Sequence, residues 1–174
     1  VNLSLACEGA AAVLHVYDRL ALNELPRRYT VAPGHPLEDR WSLRDGLYDL
    51  WLLGPNGFHR HFMGSSVGAY EARMVLANGD SRRMQLQLVN KGSTALTLEL
   101  APAAYADRLR AMRIELRASE SRALNWLLDP TGGWYDFWLR APGHSRRLAG
   151  RVETGADSIS DPEMGGPSRL YQER

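Results

Sequence analysis

Apolar and polar residues alternate along most of the chain. Met84, Leu86 and Leu88 fall on one side of a stripe whose other side is Gln85 and Gln87. Leu96, Leu98 and Leu100 alternate with Thr97 and Glu99, and Ile114 and Leu116 with Glu115 and Arg117. A side-chain period of two is the mark of a strand with one face in a core and the other turned away from it. Asn78-Gly79 is a type I′ hairpin signal, and Asn90-Lys91-Gly92 marks a second turn. The spacing predicts strands near 71–77, 84–89, 94–101, 112–118, 122–127, 134–140 and 145–153, with one or two helical turns near Ala104–Arg110. Seven short strands in about 100 residues fit an immunoglobulin-like antiparallel sandwich.

The pattern is written twice. Tyr48-Asp49-Leu50-Trp51-Leu52 aligns with Tyr135-Asp136-Phe137-Trp138-Leu139, each followed by a Pro/Gly turn and a basic-aliphatic run ending in Gly64 or Gly150. Upstream, Val1–Gly9 aligns with Met84–Gly92 through three periods of alternation before a glycine. A repeat of about 85 residues is too long for a solenoid unit and suits a small domain. The expected architecture is all-β: two tandem immunoglobulin-like antiparallel β-sandwich domains of about 85 residues each, at 1–68 and 69–174. In the second repeat the strand in Glu71–Arg83 precedes the segment that matches Val1–Gly9, and the first repeat begins without it. A sandwich lacking a terminal strand exposes an unpaired edge. The expectation is a C-terminal fragment whose missing strand lies before Val1. At the other end, alternation stops after Ile159, and the tail is expected to become peripheral beyond about Pro162.

Composition narrows the function classes. The net charge is +1 with 24% charged residues, which gives no electrostatic footprint for nucleic acid or anionic membrane. Lys91 is the only lysine, a bias that reflects base composition rather than binding. No apolar run approaches the roughly 20 residues of a membrane helix, and no signal peptide is present in the chain. Cys7 is alone, so there is neither a disulfide framework nor a cysteine metal site; it reads as a small buried hydrophobe.

The runs "VLHVYDRL…PRRYTV…YDLWLLGPNGFHRHFMG" (Val13 to Gly64) and "GWYDFWLRAPG…RRLAGRVETGADSISDP" (Gly133 to Pro162) resemble the tandem C-terminal domains of bacterial phosphocholine-preferring phospholipases C. The resemblance covers nearly the whole chain. It implies an accessory module attached to a large N-terminal catalytic domain related to acid and alkaline phosphatases. That domain would act on phosphatidylcholine and sphingomyelin in a secreted or periplasmic enzyme, and its active-site residues have no counterpart in this chain. The implied partners are the catalytic domain of the same polypeptide and a phospholipid surface; no cofactor is implied.

Within the chain itself no catalytic, cofactor or metal constellation is expected. His59 and His61 share a strand face at i, i+2, but a transition metal needs a third ligand and supporting hydrogen bonds. The second repeat has Ser145-Arg146-Arg147 nearby, so the pair reads as a solvated strand face. Asp49 and Asp136 read as strand carboxylates bonded to backbone N–H groups or to an arginine such as Arg44 or Arg140. Glu153, Asp157, Ser158, Ser160 and Asp161 lack the ordered spacing of a calcium loop. No G-x-S-x-G motif, Ser/His/Asp arrangement or phosphate-binding glycine loop occurs. The one surface singled out is Trp51, Trp138 and Arg140: if Tyr48, Leu50 and Leu52 face the core, Trp51 turns outward or towards a neighbouring domain, and Trp138 does the same. The competing reading is a free-standing module that binds lipid head groups or carbohydrate through the same side chains.

Overall fold

The computed structural model describes residues 1–65, 70–77, 80–106, 110–155, 157 and 159–163, the side chains of 80 and 81 excepted. Among them the chain forms β1 (Asn2–Leu5), β2 (Ala12–Asp18), β3 (Arg27–Val31), β4 (Leu37–Arg40), β5 (Tyr48–Leu53), β6 (His59–Gly64) and β7 (Tyr70–Ala77). There follow β8 (Asp80–Asn90), β9 (Leu96–Pro102), β10 (Met112–Leu116), β11 (Ser121–Leu127), β12 (Trp134–Ala141) and β13 (His144–Arg151). Single 3-10 turns occupy Arg19–Ala21 and Asp129–Thr131. The fold is all-β with antiparallel sheets, and each strand expected in the second repeat is present. The Asn78-Gly79 turn, the middle of the Ala104–Arg110 segment, Ser158 and the tail from Gly165 lie outside the described residues.

Each half is built in two layers. In the first, β1 and β4 cover the sheet β3-β2-β5-β6; in the second, β11-β8-β7 cover β10-β9-β12-β13. The alternating leucines explain why. Leu3, Leu5, Leu14, Val16, Val31, Leu50 and Leu52 meet between the first pair of layers, with Trp41 closing one end. Leu86, Leu88, Leu98, Leu100, Ile114, Leu116, Phe137 and Leu139 meet between the second pair. Strand for strand, β1 to β6 repeat β8 to β13, and β7 has no counterpart among the described residues. β1 therefore pairs on one side, with β4, where β8 pairs on both.

The two halves are joined edge to edge. β6 pairs antiparallel with β13, making one eight-stranded sheet of order β10-β9-β12-β13-β6-β5-β2-β3. That order reads the same from either end in repeat terms. His61 lies opposite Arg147, and on either side Arg60 faces Leu148 and Phe62 faces Arg146. Residues 86 apart thus exchange across an approximate two-fold axis between His61 and Arg147. Both covering layers lie on the same side of this sheet, because the core positions of β5 and β12 share a face with Phe62 and Leu148. The other face, carrying Asp49, Trp51, Asp136 and Trp138, has no covering layer among the described residues.

On the layered side two equivalent arginines close the seam. Arg60 donates to the Ala149 carbonyl at 2.7 Å and to the Tyr135 hydroxyl at 3.0 Å, while lying over the Phe58 ring. Arg146 donates to the Tyr70 carbonyl at 2.8 Å and lies against the rings of Tyr70 and Phe62. Each guanidinium binds aromatic groups of both halves.

Candidate functional site

The outer face of the long sheet owes its geometry to register. Across β9, β12, β13, β6, β5 and β2 the directly opposed residues are Ala101, Trp138, Arg147, His61, Trp51 and Tyr17. The row is symmetric in kind: the tryptophans flank the central His61–Arg147 pair. The His61 ring meets Trp138 at 5.2 Å and Trp51 at 5.9 Å, both edge-on, so the two tryptophans share one imidazole across the seam. His59 packs edge-on to Trp51 and stacks with His61 at 6.3 Å. Arg19 lies 4.5 Å over Trp51, and Arg140 5.2 Å over Trp138. Trp51, Trp138 and Arg140 thus fall in one cluster that spans both halves.

The repeated carboxylates hold the centre of the row. Asp136 takes a forked bond from Arg147, Nε at 2.7 Å and Nη2 at 2.5 Å. Asp49 sits 2.5 Å from His61 Nε2 and 3.5 Å from Arg19. Since Asp49 and Asp136 are equivalent, and so are His61 and Arg147, one carboxylate–cation plan is made twice with different partners. The arginine partners differ from those the sequence suggested: Arg44 binds Asp18 and Glu24, and Arg140 stacks on Trp138.

The histidine face is not solvated. His61 is 3% exposed, because Trp51, His59 and Trp138 crowd its ring. Burial lowers its pKa against the opposing pull of Asp49, so His61 is neutral at pH 7 and donates through Nε2–H. Burial also takes His59 down to about 4, with Arg147 and His61 adding to the effect. Its Nε2, like the Trp51 Nε1, is buried without a hydrogen-bond partner. Asp136 holds the Arg147 guanidinium above its ordinary value. Among the described residues no three His, Cys, Asp or Glu side chains gather to hold a metal ion.

Other candidates are engaged structurally. Asp161 accepts from the Tyr105 hydroxyl at 2.7 Å, and Glu153 pairs with Arg151. Cys7 lies just beyond β1 and is only partly buried; its Sγ donates to the Val31 carbonyl at 3.2 Å. The row offers a platform of aromatic edges and paired charges, without a nucleophile beside a free base among the described residues. Single-residue reading missed Arg147 as the partner of His61. The signal was the 86-residue offset, which makes the two equivalent.

Comparison with known proteins completes the picture. The sequence matches the family described as the bacterial phospholipase C C-terminal domain, over residues 1–65 and again over 69–151. It is 32% identical, over 95% of its length, to a non-hemolytic phospholipase C of Pseudomonas aeruginosa, of which it covers 25%. It is 34% identical, over 88% of its length, to a hemolytic phospholipase C of the same organism, covering 24% of it. To a non-hemolytic phospholipase C of Burkholderia pseudomallei it is 37% identical, over 88% of its length and 23% of that protein. The chain spans about a quarter of the curated relatives it matches.

Proposed function

Because the chain belongs to the family of bacterial phospholipase C C-terminal domains, we propose that it is the non-catalytic accessory module of such an enzyme. Its two sandwiches, at about 1–68 and 69–174, act as one rigid body beside an N-terminal catalytic domain of the same polypeptide. In this reading the catalytic domain hydrolyses phosphatidylcholine or sphingomyelin outside the cytoplasm, and the module supplies stability and orientation. The face bearing Trp51, Trp138 and Arg140 is the surface that the catalytic domain contacts.

One observation carries the reading. The groups best suited to chemistry, Asp49, His61, Asp136 and Arg147, are bonded to one another in pairs on the sheet face, and the one unbonded nitrogen beside them, His59 Nε2, is buried. General acid–base or nucleophilic catalysis needs such a group free to reach a substrate. The test is turnover. Purified chain is expected to leave p-nitrophenylphosphorylcholine intact, with or without zinc or calcium. Hydrolysis that co-purifies with the chain and is lost in Asp49→Asn or Asp136→Asn would overturn the proposal.

A further inference from the structure

The two covering layers differ by one strand. In the second half β11, β8 and β7 cover the core; in the first, β4 and β1 do so, and no described strand lies on the far side of β1. β8 shows that edge when it is filled. It pairs with β11 on one side and β7 on the other, and its Leu86 and Leu88 are 0% exposed. Leu3 and Leu5, their equivalents at an offset of 83, are 8% and 6% exposed.

A larger difference lies beneath. β7 packs onto the long sheet through Tyr70, whose carbonyl accepts from Arg146 at 2.8 Å and whose hydroxyl donates to the Leu139 carbonyl at 3.2 Å. Leu148, beside Arg146's strand partners in the same core, is buried. Its equivalent on β6 is Phe62, a larger apolar group that remains only partly buried. The first core thus lacks cover at the place where β7 covers the second.

The edge of β1 is ready to bond. The Val1 amino group donates to the Trp41 carbonyl at 2.7 Å, and the Trp41 N–H donates to the Val1 carbonyl at 2.8 Å. Bonded and non-bonded pairs alternate along an antiparallel ladder. Leu3 and Leu5 therefore also bond to β4, and Asn2 and Ser4 turn their N–H and C=O groups away from it. In β8 the equivalent residues, Gln85 and Gln87, stand opposite Val75 and Arg73 of β7.

We propose that an extended segment of the same polypeptide, lying shortly before Val1 in the longer protein, adds to β1 as an antiparallel strand and completes the first sandwich. The inference rests on the accessory-module reading, which places the catalytic domain upstream. The repeat specifies the segment. β7 sets Tyr70, Ala72 and Met74 towards its core and leaves Glu71 and Arg73 exposed. The added strand alternates in the same way, with apolar residues opposite Leu3 and Leu5 and over Phe62. The offset of 83 places it about 7 to 14 residues before Val1, with a hairpin turn between. Its backbone supplies the bonds and its alternate side chains the fit. The polypeptide arriving from the catalytic domain then enters the sheet directly and is not a loose tether.

The experiment is amide hydrogen exchange on the 174-residue chain and on two extended forms. One carries the protein's own residues before Val1, about 20 of them, enough for a strand and its turn. The other carries a second copy of residues 70–83 joined to Val1. In the parent chain the Leu3 amide is expected to be protected, and those of Asn2 and Ser4 to exchange near the unstructured rate. Both extensions are expected to slow Asn2 and Ser4 at least about tenfold. Arg73→Pro with Val75→Pro, made in the added copy alone, removes the bonding N–H groups and is expected to abolish the gain. Protection of Asn2 and Ser4 already in the parent chain would overturn the proposal. So would its absence in either extended chain, or its survival in the proline form. Protection of Gln85 and Gln87 in every form reports that the second half is folded. A secretion signal directly before Val1, with no catalytic domain, would refute the accessory reading, and the grafted copy would still report on the edge.

Discussion

At the scale of single residues, the seam depends on imidazoles that stay uncharged. The His59 pKa lies near 4 in the fold, against 6.5 when unperturbed, and that of His61 is also lowered. Between these values the unfolded chain binds protons that the folded chain refuses, so the stabilising difference is complete above about pH 6.5 and is lost as pH falls towards 4. Thermal midpoints should therefore drop across that window, and His59→Gln should reduce the total stability lost across it by about 1 kcal/mol after allowance for solvent screening. A slope unchanged by His59→Gln would count against this account. Asn90 shows a different economy of means. Buried to 1% exposure, it donates to the carbonyls of Thr94, Leu116 and Arg117 and accepts from the Gly92 N–H, so one side chain fastens two turns. Cys7, its counterpart in the first half, makes a single such bond. Sequence reading recognised the turn at Asn90 but not the long-range bonds, because those depend on which carbonyls the fold brings there.

At the scale of elements, what repeats in the sequence is what strand pairing requires. Tyr48 stands opposite Gly64 and Tyr135 opposite Gly150. A Cβ on either glycine would lie 2.8 Å from the paired tyrosine oxygen. At Gly150 the glycine is thus required by the tyrosine across the ladder, and at Gly64 the Gly143 carbonyl, 2.7 Å away, excludes a side chain as well. Gly150→Ala should destabilise by about 1–3 kcal/mol through overpacking, measurable by chemical denaturation. In a Tyr135→Phe background, where the clashing oxygen is gone, the penalty should shrink. An equal cost in both backgrounds would argue that the tyrosine is not the cause. The strands themselves were legible, because period-two alternation reports a buried face directly. The outward placement of Trp51 and Trp138 also followed from alternation. Their meeting around His61 did not, since it arises from the pairing of β6 with β13, two strands separated by 79 residues of chain, whose individual patterns say nothing about which edges join. The same ignorance of pairing made the histidines read as solvated and assigned the aspartates to the wrong arginines.

At the scale of the molecule, the two cores are distinct but the sheet is shared. Arg60 and Arg146 bridge aromatic groups of both halves on the layered side, and the Asp49–His61 and Asp136–Arg147 pairs flank the axis on the other. The chain should therefore melt in one calorimetric transition. Arg60→Ala combined with Arg146→Ala, each removing about 1–3 kcal/mol of bonded guanidinium, should resolve it into two. Two transitions in the parent, or one in the double variant, would contradict this coupling. The pseudo-symmetric seam has a consequence for origin. Equivalent edges meeting antiparallel about a two-fold axis form the self-complementary contact of a cyclic dimer. A single ancestral unit would have had to protect that same edge, and pairing with its own copy would have done so. In such a homodimer both sides of the axis must carry one residue; if that was arginine, two guanidiniums would have stood face to face. With both copies in one chain that constraint does not apply, and the axis carries an uncharged His61 on one side and a charged Arg147 on the other.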